Sequence, residues 1–106
     1  MACADYEVLI EDSAEADLSG IVSYITANLS SPGAAQGIYD LIKQRITSLD
    51  QSPARCALVR FEPHRSRGVR WISAGNYQVF LIINEATCQV HILRILYARR
   101  LWERLL

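Results

Sequence analysis

The sequence predicts an α+β domain spanning residues 1–106. Three observations carry that reading: an alternating segment near the start, two apolar stripes at helical spacing after it, and strand-like runs with short breaks in the second half. In YEVLIE, Tyr6, Val8 and Ile10 alternate with Glu7 and Glu11, the period of a strand with one buried face. DSAEAD follows, where Asp12 can cap a helix and Glu15, three residues on, can complete a capping box. Leu18, Ile21, Val22, Ile25 and Leu29 then make one apolar stripe. SSPG stops that helix and opens another, with Ser31 as cap and Pro32 at a first helical position. Ile38, Leu41, Ile42, Ile46 and Leu49 make the second stripe, which ends before Pro53. Two amphipathic helices joined so tightly form an antiparallel hairpin.

After Pro53 the period changes. ALVRF reads either as a short edge strand or as an extended loop, and EPHRSRG is a polar, basic connection. VRWIS, YQVFLII and CQVHILRIL follow, separated only by AGN and NEAT, so an antiparallel meander of three to four strands is predicted. Its last two strands are apolar on both faces. Tyr77, Val79, Leu81 and Ile83 alternate with Phe80 and Ile82, and Val90, Ile92 and Leu96 are expected to oppose Leu93 and Ile95. The helical hairpin covers one face. The other needs a second cover, and the end of the chain, ARRLWERLL, offers a short C-terminal helix with Leu101, Trp102, Leu105 and Leu106 on one side. Nine residues are too few for a helix stable on its own, so this one must dock on the sheet or on a partner.

Composition excludes several classes. With 51% hydrophobic and 21% charged residues the chain is a folded globular protein rather than a disordered one. No apolar run is long enough to span a membrane, and the first residues lack the basic-then-apolar start of a signal peptide, so a cytoplasmic protein is expected. Cys3, Cys56 and Cys88 are odd in number and far apart; they match neither a disulfide framework nor zinc-ligand pairs, and read as buried or incidental thiols. No metal, cofactor or catalytic residue is predicted, since there is no phosphate-binding glycine loop, metal-ligand spacing or Ser-His-Asp order.

The net charge of zero conceals a division. Residues 1–53 hold eight acids against two bases, and the remainder holds nine arginines against three acids. Such asymmetry suits a basic surface directed at nucleic acid, at an acidic protein segment, or at the chain's own acidic half. Ten of the eleven bases are arginine, whose planar fork suits carboxylate and phosphate better than lysine does. Arg65, Arg67, Arg70, Arg99 and Arg100 are the candidate contact residues, because loops and strand ends expose side chains, with Trp102 as an apolar anchor beside them. Arg94, inside a strand, is instead expected to pair with an acid of the helical hairpin such as Glu15 or Asp17. His91 reads as a surface or satisfied core histidine, and His64 as exposed.

LVRFE, then GVRWISAGNYQVFLIINE, then VHILRILYARRLWERLL, following a strand and two helices, resemble the RelE/ParE superfamily of toxins from type II toxin-antitoxin, or plasmid stabilisation, systems. The most specific parts are Asn76 and Tyr77 entering a strand, Arg94 to Tyr97 ending the last one, and Arg99, Arg100, Trp102 and Glu103 after it. The resemblance implies a cytoplasmic toxin neutralised by a cognate antitoxin that lies over it, which accounts for the second apolar face; the expected assembly is a homodimer or a toxin-antitoxin hetero-oligomer. RelE-like members cut messenger RNA on the ribosome with clustered basic groups, whereas ParE-like members inhibit DNA gyrase. Here Val69 and Trp71 stand where RelE places lysines, Gln78 where it has arginine, and Leu106 at best where it has its C-terminal tyrosine. The resemblance therefore implies a ParE-like gyrase inhibitor, with a ribosome-dependent endoribonuclease and a non-toxic interaction domain as the alternatives.

Overall fold

A computed structural model describes residues 3–29, 31–98, 105 and 106, Leu29 by its backbone alone. The elements are β1 (Glu7–Ile10), α1 (Asp12–Leu29), α2 (Pro32–Thr47), 3-10 turns at Ser48–Asp50 and Pro53–Arg55, β2 (Ala57–Leu58), β3 (Arg70–Ala74), β4 (Tyr77–Asn84) and β5 (Gln89–Tyr97). They build one five-stranded sheet in the order β1-β5-β4-β3-β2. The α+β architecture and its element order are those predicted, and ALVRF supplies the two-residue edge strand β2. β2 to β5 form the antiparallel meander, while β1 lies parallel to β5 with Glu7 opposite Gln89 and Ile10 opposite Ile92. A parallel neighbour cannot be reached by a tight turn, so the whole chain between β1 and β5 serves as the crossover. The predicted C-terminal helix falls largely on residues 99–104, outside the described residues.

Local chemistry explains the boundaries. Asp12 and Glu15 lie in the first turn of α1, where the helix dipole favours acids, and Glu15 donates its backbone N–H to the Glu11 carbonyl. Ser31 caps α2, its hydroxyl accepting from the Ala34 N–H at 3.2 Å, and Pro32 is the first helical residue. The β3–β4 turn has two residues between the Ala74 and Tyr77 pair, with Gly75 at φ +60. Type II′ turns reserve that first central position for glycine, and a Cβ there would come 3.3 Å from the Leu41 side chain.

The helices bury one face of the sheet. Leu18, Ile42, Ile46 and Leu49 pack against Val79, Leu81, Val90, Ile92 and Ile95. On the opposite face Val59, Val69, Phe80 and Leu96 form a smaller core, joined by Trp71, Ile82, Leu93, Leu105 and Leu106. The last two residues thus help to cover the second apolar face, as the amphipathic end of the chain suggested. One expectation is corrected: Ile95, not Leu96, joins Val90 and Ile92 on the helix side. The cause is a register shift, because Phe80 pairs with Arg94 and Leu81 with Ile92, leaving Leu93 as an extra residue in β5. A bulge exchanges the faces of everything beyond it.

The cysteines also depart from expectation. Cys3 and Cys88 are joined by a disulfide, their Cα atoms 5.6 Å apart across a sequence separation of 85. The sequence conceals this pair because only the parallel docking of β1 on β5 brings the two positions together. Cys56 alone is a free thiol; it lies buried in the helix-side core, and burial pushes its pKa up.

Candidate functional site

β1 reaches only as far as Ile92 along β5, and β5 continues to Tyr97. Residues 93–97 therefore have no strand neighbour on that side among the described residues. Helix α1 crosses this edge, and between the two lies an open groove of about 630 Å³. Ala16, Asp17, Gly20, Ile21 and Tyr24 form one wall, and Tyr77, Ile95, Leu96 and Tyr97 form the other. Asp17, Gly20, Ile21 and Tyr24 recur at helical spacing, a second row on α1 beside its core stripe. Gly20 keeps the wall low, since a Cβ there would meet nothing within 4 Å. Tyr77 and Tyr97 stack edge to face with ring centroids 5.6 Å apart, and Tyr24 is 63% exposed. Burial pushes the Tyr77 phenol above its ordinary value, and Tyr97 and Tyr24 add to the rise.

Asp17, in the helix wall of the groove, is tied to β5 by an ion pair. Arg94 donates from Nε to Asp17 Oδ2 at 2.7 Å and from Nη2 to Oδ1 at 2.9 Å, a two-pronged contact. Its remaining arm donates to the Leu105 carbonyl at 2.7 Å, while Asp17 also accepts the Ile95 N–H at 2.9 Å. The Asp17 hydrogen bond holds the Arg94 pKa above its ordinary range, against the opposing effect of burial. Asp17 is thus the expected hairpin partner, and the pair occupies the open edge of β5 as a substitute for a neighbouring strand. His91 makes a further cross-link between the halves of the chain, its Nδ1 lying 3.0 Å from Glu11 Oε1.

The basic connection between β2 and β3 is a compact loop. Val59 and Val69 are buried at its base, with the Val59 N–H donating to the Val69 carbonyl at 3.0 Å. Arg60, Phe61, Arg65 and Arg67 are exposed on it. Arg65 also donates to the Val59 carbonyl at 3.2 Å, and Arg67 Nη1 lies 3.3 Å from His64 Nδ1. Arg70 turns elsewhere, donating to the Cys56 carbonyl at 2.6 Å and the Ala54 carbonyl at 3.3 Å. The structure therefore brings Arg65 and Arg67 together, whereas Arg70 fastens the approach to β2. His64 is buried at 8% exposure, a correction to its expected exposure, because the loop folds back over its own middle. Arg99, Arg100 and Trp102 lie outside the described residues.

Comparison with known proteins agrees with this architecture. Residues 8–102 match the model of the ParE toxin of the type II toxin-antitoxin system parDE, and the chain belongs to that family. No curated relative matches the chain by sequence. Among solved structures, the fold is similar to that of the chromosomal ParDE system of P. aeruginosa, at a TM-score of 0.74, with 20% identity over 92% of this chain and 100% of that one. The RelBE2 toxin-antitoxin complex of Mycobacterium tuberculosis superposes at a TM-score of 0.66, with 21% identity over 88% of this chain and 98% of that one. For the archaeal RelE–RelB complex of Pyrococcus horikoshii the TM-score is 0.60, with 19% identity over 91% of this chain and 98% of that one. The protein is a toxin of the type II toxin-antitoxin class. Among the described residues, no helix is long and apolar enough to cross a membrane.

Proposed function

We propose that this toxin acts by binding DNA gyrase and that a cognate antitoxin neutralises it by occupying the groove between α1 and β5. Val69 supports binding over RNA cleavage: it is fully buried in the second core, at a place where the RNA-cutting branch is expected to present a cation. The groove suits an amphipathic segment, since it combines an apolar lining, three tyrosines and a strand edge. Arg65 and Arg67, with Arg99 and Arg100, are assigned to acidic partner surfaces, and Trp102 to anchoring the chain end; Arg70 is assigned mainly to holding β2. The deciding experiment sets a supercoiling assay with purified gyrase beside an in vitro translation assay. Inhibition of supercoiling with intact messenger RNA is the expected result. Cleaved messenger RNA with unaffected gyrase would overturn the proposal in favour of an endoribonuclease. His91→Ala should leave toxicity intact in a binding mechanism. Arg99→Ala combined with Arg100→Ala should leave the melting temperature nearly unchanged and weaken partner binding.

A further inference from the structure

We propose that the Cys3–Cys88 disulfide is a reversible redox clip that fastens the N-terminal segment to the β4–β5 turn and releases it on reduction, with the core left folded. The bond is peripheral: Cys3 precedes β1, Cys88 precedes β5, and neither belongs to either apolar core. The third thiol does not compete, because Cys56 is buried at 5% exposure. Around the bond lie a few polar contacts, and beside them Tyr6 packs against the helix-side core. Tyr6 donates its hydroxyl to Glu85 at 2.7 Å and its N–H to the Asp50 carbonyl at 2.9 Å, Glu7 donates its N–H to the Cys88 carbonyl at 2.9 Å, and Gln51 donates to Asp5. Cys88 itself stands at φ +53, a left-handed conformation that a non-glycine residue adopts at a cost. Its surroundings must hold it there, and the bond to Cys3 is one of those restraints.

The chemistry is ordinary exchange with a dithiol reductant. A thiolate of the reductant attacks one sulfur of the pair, and the other leaves as a thiolate and takes a proton. The second thiol of the reductant then displaces the mixed disulfide. The protein gains two electrons and two protons, and the reductant becomes a disulfide. The opened N-terminal segment is then held by those hydrogen bonds and by the packing of Tyr6 against the helix-side core, which leaves residues 3–5 as its loosest part, and a loosely held terminus is where proteases begin.

Hydrogen exchange on the full-length protein, oxidised and then treated with dithiothreitol, tests this directly. The reporter amides are Tyr6 and Glu7, whose partners are stated above, and the controls are Ile42 in α2 and Phe80 in β4. On reduction the reporters should exchange about tenfold faster or more and with little dependence on dilute urea, the mark of local opening, while the controls still exchange only through urea-dependent global unfolding. Removal of the reductant and addition of oxidised glutathione should restore protection. Cys3→Ala, which keeps the fold and cannot form the bond, should show the fast reporter rates with or without reductant. Three titratable thiols after oxidative treatment would overturn the proposal, as would reporters indifferent to reduction. Reporters that exchange with the same urea dependence as the controls would do the same, since the bond would then be only a staple of the whole fold. None of these readouts depends on the toxin's target.

Discussion

Asp17 stands in for a missing strand by accepting the Ile95 N–H, and Arg94 holds it there. Beyond Ile92 the edge of β5 has no β1 beside it, and the guanidinium reaches Asp17 on one side and the Leu105 carbonyl on the other. Its side chain retains 26% exposure and that of Asp17 14%, so the pair is partly screened rather than sealed from water. Arg94→Ala should therefore lower stability by about 1 to 3 kcal/mol, the range for charge-assisted hydrogen bonds, as read by urea unfolding. Arg94→Lys should recover only part of that loss, because an ammonium cannot make the two-pronged contact. Tyr77 gives a second test at this scale. Its folded pKa lies above the ordinary 10.0 because burial favours the neutral phenol. Above pH 10 the unfolded chain releases a proton that the folded protein retains. The associated stability is thus complete below pH 10 and is lost as pH rises through the folded value. Titration followed by tyrosinate absorbance should show two late phenols, Tyr77 and Tyr6, the latter raised by its hydrogen bond to Glu85, and Tyr77→Phe should remove one of them.

Among the elements, α1 carries two rows with different duties. Leu18 packs against the sheet and Ile25 is buried, while Gly20 and Tyr24 face the groove. The core stripe was legible from spacing alone, because helical period and hydrophobicity agree. The groove row was not: Asp17, Gly20 and Tyr24 include a charge, a glycine and a half-polar ring, and no hydrophobic scale groups them. Gly20→Leu separates folding from partner binding. The new side chain enters open space and replaces a poor helix former, so stability should rise by about 0.5 to 1 kcal/mol. Antitoxin affinity should fall, which isothermal titration would measure; unchanged affinity would place the antitoxin elsewhere. β5 shows the other limit of sequence reading. Its alternation up to Ile92 predicts the faces correctly, but one inserted residue at Leu93 reverses Ile95 and Leu96, and a bulge leaves no mark in the hydrophobic pattern. His64 was misread for a related reason, since the polar string around it folds over itself instead of standing out in solvent.

At the scale of the whole molecule, the acidic first half and basic second half meet at the Asp17–Arg94 ion pair and at the hydrogen-bonding contact of Glu11 with His91. Part of the charge division is therefore internal, while the exposed arginines of the loop after β2 face solvent, open to a partner. The disulfide acts at this scale too. Closing a separation of 85 residues restricts the unfolded chain strongly, so Cys3→Ser should cost about 2 to 5 kcal/mol under oxidising conditions and almost nothing in reductant. Chemical denaturation in both buffers would show it.

The same bond makes the oxidised chain a lariat. The ring runs from Cys3 to Cys88 and contains β1, both helices and β2 to β4, while β5 belongs to the tail although it lies between β1 and β4 in the sheet. A machine that grips the chain beyond β5 and pulls would draw out β5 first, parting β1 from β4, and would then meet a closed ring that cannot be threaded as a single strand. At roughly 3.5 Å per residue, the separation of 85 residues between Cys3 and Cys88 could extend to about 300 Å in the reduced chain, whereas the bond holds the two Cα atoms 5.6 Å apart.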